Sequence, residues 1–347
     1  MTQHRTLRSA PRKLAELGPW TKLQLETVLE PDLPIIDPHH HVWNDRRGRY
    51  LIEELAEDVA TGHNIIATLF VQTGENKYRA DGPAGMKPVG EVEFVNGIAA
   101  MAASGQFGKA RLCAGIIGHA DLTLGDRARP VLEALIAAGN GRLRGIRHNL
   151  AWDEHQAKLV PGQVRHLALN ADYRKGFAHL DPLGLAFDAW LFHPQLPEVL
   201  DLARAFPQTR IVLNHVGGIL GIAQYAGKRD EIFKFWRAQI RDLSKLPNIT
   251  VKVGGLGMPR CGWDFHLREM PVSSEVLADA WRPYIETCIE AFGADRCMME
   301  SNFPVDKATC GYDVLWNALK RVTSGCSATE KTLMYSDVAA RVYRLVL

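Results

Sequence analysis

The chain is expected to fold as a single α/β domain, a (β/α)8 TIM barrel carrying an N-terminal extension. Three observations predict it. About eight short apolar runs alternate with helical stretches, the order that parallel strands joined by crossover helices produce. These units occupy about 315 of the 347 residues, which suits a closed barrel with extra length in its loops and terminal helices. Polar side chains collect where the apolar runs end, and in a barrel those ends share one mouth. The competing architecture, an open doubly wound sheet, usually places a Gly-rich phosphate turn after its first strand. Here the first strand runs into histidines, and no G-x-G-x-x-G or P-loop pattern occurs.

Residues 1–33 read as the extension, with a helix expected between Lys13 and Glu30, and residues 34–347 as the barrel. The first strand is Ile35-Ile36-Asp37-Pro38-His39-His40-His41. Strict alternation would put Asp37, His39 and His41 on one face and His40 on the other. The His39/His41 spacing suits one divalent metal ion, and a plain surface histidine cluster is the competing reading. A helix over Leu51–Val59 leads to the second strand, Ile65–Gln72, which ends near Glu75 and Tyr78. A helix from Glu91 to about Ser104 precedes the third strand, Leu112–Gly118, which ends at His119 and Asp121. After a helix over Ala128–Ala138, the fourth strand, Leu143–His148, holds Arg147 within an apolar run. An arginine placed there needs a charge partner or an anionic ligand.

The fifth strand is read as Leu185–His193, followed by a helix whose Leu196, Val199, Leu200, Leu202, Ala203 and Phe206 fall at helical spacing. The sixth is Arg210–His215 and the seventh Ile249–Val253, with Arg260, Trp263 and His266 in the Gly-rich loop beyond. Ser273 and Ser274 are placed to cap the helix up to Phe292. The eighth strand, Arg296–Asn302, carries Glu300 and runs into Asp306, and two closing helices follow. Five of the eight strand ends carry histidine, although the chain has only 13. That concentration points to one polar site. Candidate substrate contacts are Arg147, His148, Glu75, Tyr78 and Trp263. The last three are equally readable as solvated or packing residues, and His193 as the start of its helix.

A net charge of +2 and the lack of basic runs with interleaved aromatics argue against a nucleic-acid partner. No window approaches the roughly 18 apolar residues of a membrane span, and no signal peptide is expected. Six scattered cysteines without a C-x-x-C pair read as reduced thiols of a cytoplasmic protein. The expected partner is a small-molecule substrate; assembly into a homo-oligomer is left open.

The residues together resemble a known family. D-x-H-x-H on the first strand, Phe-His-Pro-Gln-Leu after the fifth, Ile-Val-Leu-Asn-His-Val-Gly-Gly on the sixth and Glu-Ser-Asn-Phe-Pro-Val-Asp on the eighth are similar to the amidohydrolase-related family of the amidohydrolase superfamily. The likeness is strongest to its branch of sugar lactonases and 2-pyrone-4,6-dicarboxylate lactonase. It runs in order from about Pro34 to the C-terminus. The resemblance implies a (β/α)8 barrel and hydrolysis of a lactone; some relatives are metal-dependent decarboxylases. It implies His39, His41 and His193 as ligands of a divalent metal such as Zn2+ or Mn2+, and His215 at the sixth-strand position. The aspartate usual on the eighth strand falls on Asn302, which is neutral and a poor base. Three readings follow. Glu300 or Asp306 supplies the carboxylate; or His215 is the base beside a metal held by histidines alone; or no metal binds and the histidines and Arg147 polarise the ester directly. A relative that only binds a small molecule is the non-enzymatic alternative.

Overall fold

The computed structural model describes residues 12–74, 77–157 and 162–346. Eight parallel strands form one sheet in sequential order: β1 (Ile35–His40), β2 (Ile65–Val71), β3 (Arg111–Gly118), β4 (Leu143–Ile146), β5 (Ala186–Ala189), β6 (Ile211–Leu213), β7 (Ile249–Val253) and β8 (Cys297–Met299). The ring closes just beyond β8, where the Asn302 N–H donates to His39 O (2.9 Å) and the His41 N–H to Phe303 O (2.8 Å). Helices lie between successive strands, and the whole is a (β/α)8 barrel. The helix over Ser274–Phe292 is capped by the Ser273 side chain, which accepts from the Val276 N–H.

Two apolar layers follow from the alternation of inward and outward side chains. The interior is filled by Ile36, Ala67, Leu69, Val71, Ile117, Ala186, Val212 and Met298. The C-terminal segment adds Val338, Ala339, Val342 and Tyr343 to that interior cluster. The outward faces pack on the helices. All six cysteines are free, five of them buried. Among the described residues no helix is long and apolar enough to cross a membrane.

Strand β1 does not keep strict alternation. Ile36 belongs to the interior, so Asp37 faces the helix layer, where it accepts from the Tyr312 hydroxyl (3.0 Å) and from the Ser301 N–H (3.0 Å) and hydroxyl. The pairing register then shifts between Asp37 and His40. An irregularity of this kind re-aims side chains. His40 points outward to the Thr68 hydroxyl (2.8 Å) and Phe70, while His39 and His41 turn inward. The expectation that Asp37 shares their face is therefore corrected: it is the outward clamp between β1 and the end of β8.

The extension holds a shorter helix than expected, Leu14–Thr21. Its Trp20 ring N–H donates to Glu269 O (2.7 Å), and Glu26 accepts from the Ser274 N–H (2.7 Å). It thereby braces the segment that follows the loop after β7. An antiparallel hairpin, Trp43–Asp45 with Gly48–Tyr50, stands where only a polar turn is expected.

Asp37→Ala removes a buried acceptor of four hydrogen bonds, the fourth from the His39 N–H (3.2 Å), and leaves its donors bare. We expect a loss of about 3 kcal/mol in urea unfolding; a loss under about 1 kcal/mol would contradict the clamp.

Candidate active site

Glu300, fully buried just past β8, lies between two imidazoles. His215 approaches Oε1 with its Nδ1 (2.7 Å) and its backbone N–H (3.1 Å), and His39 Nδ1 lies 2.9 Å from Oε2. The His39 and His215 rings are 4.3 Å apart, and His41 stands edge-on to His39 at 5.0 Å. His41 gives its Nδ1 to Val71 O (2.7 Å). His41 and His215 are thus anchored through Nδ1 to an oxygen, which fixes their tautomers and leaves Nε2 for chemistry. The glycines after β7 permit the arrangement. A Cβ on Gly255, whose φ is +65°, would sit 2.3 Å from His215 Nδ1, and one on Gly254 would sit 2.5 Å from Glu300 Cγ.

Two buried cations border the cluster. Arg147 places Nη1 3.3 Å from His39 Nε2 and donates Nη2 to Gln72 O. Lys252, inside β7, lies 3.5 Å from His39 Nδ1 and pairs with Asp188 of β5 (2.6 Å). Asp188 also accepts from Asn214 (2.9 Å) and from the Tyr343 hydroxyl (2.8 Å), which ties the C-terminal segment to the site. Burial, reinforced by neighbouring positive charge, holds His39, His41 and His215 well below the usual imidazole range, so they are neutral. Burial also pushes Glu300 up to about 8, against the pull of Lys252.

The other expected residues fall as follows. Strand β5 ends at Ala189, four residues before His193, which instead opens a turn into the helix Leu196–Ala205. Its Nδ1 accepts from the Leu220 N–H (3.3 Å), and its ring packs on Tyr225 and Phe235. The structure therefore does not assemble His39, His41 and His193 as one cage. Among the described residues, the ligand atoms close enough to hold a metal ion belong to His39, His215 and Glu300, all within 4.8 Å of one another.

Asn302 turns its amide away to Asp306 (2.7 Å), whose other oxygen accepts from the Gly257 N–H (2.8 Å). This pair joins the loops after β7 and β8, and burial pushes Asp306 up to about 8. His148 accepts from the Leu122 N–H (3.2 Å) and stands in a row of rings with Tyr78, His119 and Tyr173. Trp263 packs under Arg229 (3.6 Å) and against Phe265 and Tyr284. Glu75 lies outside the described residues.

Sequence reasoning missed Lys252 and Asp188. Each is a charge inside an apolar strand, the same signal that singled out Arg147. It also missed Trp190, whose ring packs edge-on to His215 (4.9 Å) beneath the Arg260 guanidinium.

Comparison with known proteins agrees with this architecture. A protein from Sinorhizobium fredii, uncharacterized protein y4mH, is 31% identical over 336 residues, covering 90% of this chain and 99% of its own length. An L-fucono-1,5-lactonase from Burkholderia multivorans is 27% identical over 325 residues, covering 89% and 96%. A zinc-bound crystal structure of an amidohydrolase from Burkholderia multivorans superposes with a TM-score of 0.68 at 24% identity, covering 90% of this chain and 99% of that one. The family model described as amidohydrolase matches residues 36–345, and the chain belongs to that family.

Proposed function

We propose that this protein hydrolyses a lactone, a cyclic ester with an acidic group, by water attack at the barrel mouth. The observation that carries the reading is the carboxylate of Glu300 shared between His39 and His215. A carboxylate that holds the Nδ1 proton of an imidazole makes Nε2 a competent proton acceptor. In this reading His215 takes the proton of the attacking water through Nε2, and Glu300 orients its ring and stabilises the imidazolium. The same imidazolium then returns the proton to the departing ring oxygen, which opens the lactone to a hydroxy acid. Arg147 has no carboxylate partner among the described residues, although it is buried. Its guanidinium is suited to the substrate's anionic group or to the oxyanion formed at the carbonyl. The lactonase among the relatives supports the choice of a cyclic ester.

The donor set fits a divalent ion such as Zn2+ or Mn2+: two neutral imidazoles and a carboxylate. His39, His215 and Glu300 are the residues that would hold it, and His215 would then be a ligand rather than the base. Such an ion, when bound, would supply Lewis-acid polarisation of the ester carbonyl. Glu300 thus provides the carboxylate that Asn302 lacks.

The reading is tested on a panel of lactones and simple esters. Ring opening of at least one lactone is expected, and none across the panel would overturn it. Glu300→Gln should lower kcat/KM by about 10²-fold or more, while an unchanged value would remove Glu300 from the reaction. Asn302→Asp would bring a second carboxylate against Asp306. It should lower the melting temperature and add no metal over wild type by plasma mass spectrometry; one further equivalent of zinc would show that position 302 can ligate.

A further inference from the structure

A cavity of about 890 Å³ opens at the end of the barrel opposite the histidines. It is bounded by the end of the helix Val89–Ala102, the starts of β3 and β4, and Val346. Four residues that line it are cationic, Lys109, Arg111, Arg142 and Arg144, and none is acidic. The rest of its wall is mostly alanine and glycine, which offers room and no counter-charge. Arg111 opens β3, and that strand needs eight residues to reach the mouth at Gly118. The cavity therefore lies roughly 20 Å from the strand ends that hold the imidazoles and Glu300.

None of the four cations pairs with a carboxylate among the described residues. Arg142 donates Nη1 to the side-chain oxygen of Asn96 (2.7 Å), and Arg111 donates Nη1 to the Val346 carbonyl (2.6 Å). Both acceptors are neutral. Arg144 is half-buried, and its buried Nε has no acceptor. Burial, and then the charge of nearby Arg344, hold its guanidinium below the usual range. The whole chain carries a net charge of only +2, so four cations around one cavity are a local excess.

Arginine and lysine side chains only donate, so whatever satisfies Arg144 Nε must accept. A neutral acceptor would leave the like charges facing one another. A lone carboxylate would meet a single guanidinium fork. We propose that this cavity is a second binding site, for a small molecule that carries several negative charges. Arg142 and Arg144, half-buried, form its inner contacts, and Lys109 and Arg111, exposed, form its rim. The volume is that of a small-molecule site. The site is separate from the barrel mouth and does not rest on the lactone reading.

The test is titration calorimetry at constant ionic strength. The probes are inorganic diphosphate and propane-1,2,3-tricarboxylate, with acetate as the singly charged comparison. At least one probe should bind wild type saturably and about tenfold or more tighter than acetate, and the tighter of the two identifies the charged group. Arg144→Gln should weaken that probe about tenfold or more. Lys109→Gln, at an exposed position, keeps the test open if Arg144→Gln fails to fold, and it too should weaken binding. Lys234→Gln removes the same charge from an exposed position on another helix and should change nothing. Arg147→Gln removes the cation of the barrel mouth and should leave the affinity unchanged. The site would be overturned by saturable binding of neither probe. It would equally be overturned by a loss in Lys234→Gln as large as in Lys109→Gln, or by a loss in Arg147→Gln with Arg144→Gln unaffected.

Discussion

The site depends on the burial of one carboxylate. Glu300 has no access to water, so its charged form, which burial disfavours, must be met by the protein. His39 and His215 approach its two oxygens, and Lys252 and Arg147 supply positive charge nearby. Lys252 needs its own counter-charge, which brings in Asp188, and Asp188 brings in Asn214 and Tyr343. A chain of paired polar groups thus runs from Tyr343 of the C-terminal segment to the His39 ring. Removing one partner would leave another charge buried alone, which makes such a network rigid and the geometry at His215 well defined.

The same logic explains the loops. The bridge requires Gly254 and Gly255, because any side chain there would occupy the space of Glu300 or His215. Asn302 and Asp306, placed where a reacting carboxylate would be expected, hold the loops after β7 and β8 together. Glu300, two residues before Asn302, is the carboxylate that faces the histidines.

Much of the architecture was legible from the chain, because strand and helix periods and the histidines at strand ends are local signals. The His39/His41 pair, His215 and Arg147 were found in that way; Glu300 entered beside Asp306 only through the resemblance, and it converges with them. Other features are set by packing. The register shift in β1 that turns His39 and His41 to the face opposite Asp37 comes from fitting β1 against its neighbour, which no local pattern shows. His193 followed an apolar run, but the run outlasts its strand: β5 stops at Ala189 and Trp190–Phe192 turn toward the loops. Lys252 and Asp188 lie 64 residues apart, and only barrel closure reveals them as a pair.

A double-mutant cycle on kcat/KM tests the central claim most directly, using His215→Gln, Glu300→Gln and the double variant on a lactone that wild type opens. If Glu300 works through His215, the double variant should be little worse than the weaker single variant, as for residues that act as one unit. Losses that multiply would show two independent contributions and contradict a shared carboxylate as the organising element of the site.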